Sequence, residues 1–240
     1  MKALSGMVTT NINLLSTRPL HESLIREAAA KGILIDVLSF ITTEAIETTE
    51  VQQEVELALQ QSATVVFTSM NAVEAVAGFM QEEQPDWAVY CMGNTTRELV
   101  EQYFGEAAVQ GTADNAGDLA ELIAEEAGRQ EVIFFCGDQR RDELPDILQT
   151  AGLEVQEITV YHTIATPHRL RKKYNGVLFY SPSAVDSFFT VNTLDEKTLL
   201  FAIGTTTEAA LRKISHNTII KSPAPGKDNL VRQAIRRFSQ

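Results

Sequence analysis

Short runs of hydroxyl-bearing residues recur in this 240-residue chain, each directly ahead of helix-forming sequence. They are Thr68-Ser69-Met70-Asn71, Gly93-Asn94-Thr95-Thr96, Ser181-Pro182-Ser183 and Gly204-Thr205-Thr206-Thr207. Ser, Thr and Asn at such places cap the coming helix. The unbonded N–H groups of the first turn, and the positive end of the dipole, then face outward. That is equipment for holding carboxylates or phosphates with few cations. One such turn alone is explained by capping. Four at matching places argue for a ligand site, without naming the ligand. Tyr161, in the segment VYHT, offers something different: a phenol able to donate a proton or a hydrogen bond. A structural tyrosine at a strand crossover is the competing reading.

Other chemistries lack their parts. Gly93 and Gly204 stand singly, with no GxGxxG pattern, and there is no GxxxxGK[ST] segment. No Cys/His spacing suits zinc, no GxSxG elbow occurs, and His21, His162, His168 and His216 are scattered. Hydride, phosphoryl and acyl transfer are therefore disfavoured, and no metal or cofactor is expected. The net charge of −12 makes nucleic acid and anionic membranes poor partners. Basic residues gather only weakly, at Arg169–Lys173 and Lys227–Arg237. An acidic protein that binds an anion must rely on local devices such as helix N-termini and a few placed cations.

The elements that must position these turns follow from hydrophobic patterning. Strand-like runs are Asn11–Ser16, Ile33–Ile41, Thr64–Ser69, Trp87–Gly93, Ala107–Gly111, Glu131–Gly137, Glu154–Thr163, Gly176–Ser181, Leu199–Gly204 and Asn217–Lys221. Between them lie amphipathic helices, the clearest with Leu230, Val231, Ala234, Ile235 and Phe238 on one face. Continuous apolar runs such as TVVFTS and GVLFYS read as central strands of a parallel sheet covered on both faces. In such sheets ligands bind beyond the carboxyl ends of the strands, where the hydroxyl turns fall.

The chain also repeats itself. VVFTSMNAVEAV from Val65 matches VLFYSPSAVDSF from Val177, an offset of 112. VYCMGNTTRELV matches LFAIGTTTEAAL, and the segment around Leu119 matches that around Leu230, both offset by 111. LHESLIREAAAKGILIDVLSFITT matches RDELPDILQTAGLEVQEITVYHT, pairing Gly32 with Gly152 at an offset of 120. The blocks keep their register only if residues 1–37 join 168–240 as one domain, with 44–158 inserted as the second. Residues 38–43 and 159–167 then form the connecting strands. The expected fold is α/β: two similar parallel-sheet domains, flavodoxin-like or Rossmann-like, joined by a two-strand connection with a cleft between. Tyr161 is expected to point into that cleft.

With 44% hydrophobic residues the chain can bury a full core, and its aromatic content of 7% with one Trp suits α/β better than a β-sandwich. No apolar run approaches the roughly 18 residues of a membrane helix. No signal peptide is read, and a cytoplasmic location is expected. Cys91 and Cys136 fall in strand-like runs, the usage of a reducing compartment without disulfides. The first ten residues read as a lead-in to the fold, and a monomer is expected.

Taken in order, STRPL, FTSMNAV, RDELPDILQTAGLEVQEITVYHT, SPSAVDSF, AIGTTTEAAL and SPAPGKDNLVRQAI resemble the successive motifs of uroporphyrinogen-III synthases over almost the full length. The resemblance implies two α/β domains joined by a two-strand ladder. It implies a small-molecule substrate, hydroxymethylbilane, a linear tetrapyrrole with eight carboxylates. Loss of its terminal hydroxyl gives an azafulvene, ring D attacks through its substituted carbon, and a spiro intermediate reopens and recloses with ring D inverted. No metal or redox cofactor is implied. Matched by motif, Thr68, Ser69, Asn71, Thr95, Ser181, Ser183, Thr205 and Thr206 would hold acetate and propionate groups. Tyr161 would assist departure of the hydroxyl, and Arg18 matches the arginine of the N-terminal motif. One departure is Cys136, in FCGDQR, where many relatives carry an arginine before the glycine. Two other readings stay open: a non-enzymatic two-domain binder or sensor for an anionic small molecule, and a degenerate synthase-like domain serving a partner.

Overall fold

Alternating apolar strands and amphipathic helices produce two mainly parallel sheets in a computed structural model, which describes residues 12–80, 84–126, 131–224 and 226–239. The ten-residue lead-in lies outside the described residues. The chain begins with β1 (Ile12–Ser16), α1 (Glu22–Ala29), β2 (Ile33–Val37) and β3 (Ile41–Ala45). It continues through α2 (Thr49–Leu59), β4 (Ala63–Phe67), α3 (Met70–Ala77), β5 (Trp87–Met92) and α4 (Asn94–Phe104). Next come β6 (Val109–Ala113), α5 (Ala116–Glu126), β7 (Glu131–Gly137), α6 (Glu143–Thr150) and the long β8 (Glu154–Ala165). It ends with β9 (Gly176–Phe179), α7 (Pro182–Phe189), β10 (Leu199–Ala202), α8 (Thr205–Ile214), β11 (Ile219–Lys221) and α9 (Lys227–Phe238).

Two compact units result, one taking the chain up to Thr42 and from Ala165 onward, the other spanning Thr43–Ile164. Unit 1 holds the sheet β11-β10-β9-β1-β2, and unit 2 holds β6-β5-β4-β7-β8 with β3 added at the edge beside β8. Matched through the internal repeat, β4, β5, β6, β7 and β8 correspond to β9, β10, β11, β1 and β2. The two orders are then the same. The duplication read from the sequence is thus present in the strand topology, with the chain starting at a different point in each copy.

Each sheet is covered on both faces. In unit 1, α1 and α9 bury Leu24, Ala28, Leu230 and Ile235 on one face, while α7 and α8 bury Val185, Phe188 and Leu211 on the other. In unit 2, α3 and α4 contribute Val73 and Val100 to one face, and α5 and α6 place Leu119 and Leu148 on the other. Consecutive crossovers therefore leave in opposite directions from β1 and β9, and from β4 and β7. Adjacent parallel strands whose connections diverge open a crevice at their carboxyl ends, the usual ligand position in such sheets.

Two departures from the sequence reading have physical causes. The expected single strand Ile33–Ile41 is broken after Val37, because Phe40 turns fully into the unit 1 core against Phe188 and the edge of His168. The strands ending in Ser69, Gly93, Ser181 and Gly204 stop short of these residues, which instead serve as helix N-caps.

The copies differ most in the connection leading to their first matched strand. Unit 2 uses α2, capped by Thr48 and burying Val55 and Ala58. Unit 1 uses the non-helical segment 166–175, where Pro167 and four closely spaced cations disfavour a helix. Side chains tie it down instead. Tyr174 donates to Asp36 at 2.7 Å, Lys172 pairs with Asp36, and Asn192 bonds both Leu170 and His168.

Candidate functional site

At the carboxyl edge of unit 2, Ser69 closes the turn after β4, its hydroxyl accepting from the Asn71 N–H at 3.2 Å. Thr68, Ser69 and Asn71 are all half-buried there. Thr95 lies exposed in the first turn of α4, at the end of the neighbouring strand β5. The cap of α4 is Gly93, with φ of 75° and no side-chain hydrogen bond, so its hydroxyl residues sit inside the helix rather than capping it. The N–H groups of that first turn are consequently left free of a side-chain cap.

Unit 1 repeats the arrangement. Ser181 caps α7, accepting from the Ala184 N–H at 3.2 Å, and its hydroxyl lies 3.0 Å from that of Ser183. Thr205 and Thr206 are exposed in the first turn of α8, again behind a glycine cap, and Lys221 reaches the Thr205 hydroxyl at 3.4 Å. Arg18 lies exposed beyond β1, the strand next to β9. The structure therefore groups the predicted residues as Thr68, Ser69, Asn71 and Thr95 in one unit, and Arg18, Ser181, Ser183, Thr205 and Thr206 in the other.

Tyr161 belongs to unit 2. It is half-buried on β8, packed beside the unit 2 core, where it pairs with Gly137 across a register shift. A Cβ added to Gly137 would stand 2.7 Å from the Tyr161 hydroxyl oxygen, so the absent side chain is what admits the ring. The adjoining loop is polar: Asp138 accepts from the Thr163 N–H at 2.9 Å, and Arg140 pairs with Asp142 and Glu157. Cys136, at the position of the departure noted above, is buried, and burial raises its thiol pKa. Both cysteines are free.

Sequence reasoning missed Tyr180, the unit 1 counterpart of Thr68. It is buried at the end of β9, with its hydroxyl 3.3 Å from Ser16 Oγ, which in turn donates to the Arg18 carbonyl at 2.7 Å. Burial pushes its phenol up to about 12. A tyrosine replacing a threonine at a matched position was the available signal. A groove of about 820 Å³ runs along 167–174 in unit 1, but none of the predicted site residues lines it. Among the described residues no His/Cys/Asp/Glu group is arranged to hold a metal ion, and no helix is long and apolar enough to cross a membrane.

The family model for uroporphyrinogen-III synthase HemD matches residues 22–232. The chain belongs to the uroporphyrinogen-III synthase family. Uroporphyrinogen-III synthases are lyases of haem biosynthesis, and family membership favours the enzyme over the binding or sensor protein. Two solved structures share the fold. The uroporphyrinogen-III synthetase of Helicobacter pylori 26695 is 14% identical, with a TM-score of 0.67 covering 94% of this chain and 99% of that one. A mutant uroporphyrinogen III synthase from the extremely thermophilic bacterium Thermus thermophilus is 16% identical, with a TM-score of 0.61 covering 94% and 98%. At such identities the likeness is one of architecture.

Proposed function

We propose that this chain converts hydroxymethylbilane to uroporphyrinogen III, and that its hydroxyl turns hold the substrate's acetate and propionate groups. The observation that carries the reading is the placement of those turns. In both sheets they lie at the carboxyl ends of adjacent strands, with helix N–H groups beside them. A carboxylate there accepts from backbone donors and hydroxyls together and meets the positive end of a helix dipole. The substrate left alone closes to the uninverted isomer, so the enzyme's task is largely one of conformation. Many weak anchors favour ring D attack through its substituted carbon over direct closure. Water leaves from the terminal hydroxymethyl group. The spiro intermediate then fragments and recloses with ring D reversed.

Tyr161 is proposed to donate a hydrogen bond or proton to the departing hydroxyl. Its packing over Gly137 favours a second reading, in which the ring only seals the β7–β8 register. Tyr161→Phe separates the two, since it keeps the ring and removes the hydroxyl. A slower but not abolished formation of the type III isomer supports the first; an unchanged rate in folded protein makes Tyr161 a packing residue. Single Ser or Thr replacements in the turns should each have a small effect, because the backbone N–H survives. A loss of about a thousandfold from one of them would contradict shared anchoring and indicate nucleophilic chemistry instead. A cytoplasmic, monomeric protein is the form proposed.

A further inference from the structure

The turn after β1 is tied to β9 at two places. Buried Thr17 donates twice to the Leu178 carbonyl, from its N–H at 3.0 Å and from its hydroxyl at 2.8 Å. Ser16 Oγ lies 2.7 Å from the Arg18 carbonyl and 3.3 Å from the Tyr180 hydroxyl. A carbonyl can only accept, so the one Ser16 proton goes to Arg18, and the Tyr180 phenol donates to Ser16. Burial keeps that phenol protonated. A relay Tyr180–Ser16–Arg18 thus runs from the end of β9 to the backbone of an exposed arginine. Tyr180 directly precedes Ser181, the cap of α7, so the Arg18 and Ser181 turns end adjacent strands. This is the crevice where the crossovers from β1 and β9 diverge.

The second copy shows that the scaffold does not need this relay. At the offset of 120 that pairs Gly32 with Gly152, Ser16, Thr17 and Arg18 fall on Cys136, Gly137 and Asp138, while Tyr180 falls on Thr68. Unit 2 makes the matched turn with neither the serine nor the phenol. The charge at the matched position has the opposite sign, and the fold uses it: Asp138 accepts from the Thr163 N–H at 2.9 Å and lies 3.4 Å from His162 Nδ1. Arg18, by contrast, makes no ion pair among the described residues. The buried hydroxyls of unit 1 therefore hold in place an arginine whose charge the fold leaves uncompensated.

We propose that Tyr180 is a positioning residue for substrate binding, holding the Arg18 turn through Ser16 so that the guanidinium meets one carboxylate of the tetrapyrrole. The inference rests on the synthase reading and deepens it, since Tyr180 acts through Arg18 and touches no substrate itself. The test is steady-state formation of the type III isomer by the full-length wild type, Tyr180→Phe, Ser16→Ala, Arg18→Gln and the double variant Tyr180→Phe/Arg18→Gln, with thermal unfolding of each. Arg18→Gln should raise KM roughly tenfold or more, the scale of a lost hydrogen bond to a charged group. Tyr180→Phe keeps the ring and should raise KM roughly threefold to tenfold, with kcat within about twofold. Ser16→Ala breaks the same relay at its middle and should match it. In the Arg18→Gln background, Tyr180→Phe should change KM by less than about twofold, because the group it positions is gone. Equal effects of Tyr180→Phe in both backgrounds overturn the proposal, as does an unchanged KM in Arg18→Gln, Tyr180→Phe or Ser16→Ala. Unfolding at the assay temperature that accounts for the lost activity also overturns it. A wild type that forms no type III isomer overturns the synthase reading and this inference with it. An active wild type with additive effects removes the inference alone.

Discussion

Units 1 and 2 carry the same five strands in the same order, yet their carboxyl edges have diverged in chemistry. Both keep a serine N-cap on the helix after the central strand, and a glycine cap on the next helix. Where unit 2 has Thr68, unit 1 has Tyr180, buried and bonded to Ser16. Where unit 2 opens α5 with Ala116 and carries Asp118 in its first turn, unit 1 opens α9 with Lys227 and carries Asp228. What the copies share is the scaffold and its backbone donors; what separates them is the charge placed at the rim. A duplicated sheet can thus supply repeated hydroxyl anchors while the side chains at its strand ends diverge, in a chain whose net charge is −12.

The largest expected effect tests the shared part. Phe67 and Phe179 occupy matched, fully buried positions, so replacing either by alanine should cost about 3–5 kcal/mol in denaturant unfolding. Unequal costs would show that the copies do not load their cores alike. Next come two strand-end glycines. Gly137→Ala forces a methyl into the Tyr161 ring and should cost about 1–3 kcal/mol. Gly204→Ala meets open space at an extended backbone and should stay within about 0.5 kcal/mol. Similar values for both would show that the Tyr161 ring does not hold the Gly137 position closed.

The matched caps come third: Ser69→Ala and Ser181→Ala should each lose about 1 kcal/mol by thermal or chemical unfolding. The smallest effect concerns Asp195 in unit 1. The backbone N–H of Lys197, then Lys173, hold its carboxyl below the usual value. Its contribution is present above the unfolded pKa and disappears as pH falls through the lower folded one. Asp195→Asn should therefore narrow the stability gap to wild type in acid, as read from unfolding temperatures between neutral pH and pH of about 3.

Much of this was legible because a parallel α/β fold writes its strands as continuous apolar runs and its turns as hydroxyl and glycine clusters. TVVFTS and GVLFYS announced central strands, and the internal offsets announced a second copy. The sequence could not show that Phe40 would be drawn into the core and break a strand, since Ile33–Ile41 is apolar enough throughout to read as one. Nor could local pattern show that Gly93 and Gly204, not the hydroxyl residues beside them, would take the cap positions. The Ser16–Tyr180 contact joins residues 164 apart in sequence, and only the strand order, which sets β1 beside β9, brings them together.

The central claim is that this chain directs a tetrapyrrole to the inverted isomer. Purified protein should be given hydroxymethylbilane generated in situ, and the oxidised products separated chromatographically into type I and type III uroporphyrin. The account predicts predominantly type III, in proportion to the protein added. Type I alone, from folded protein, would contradict it.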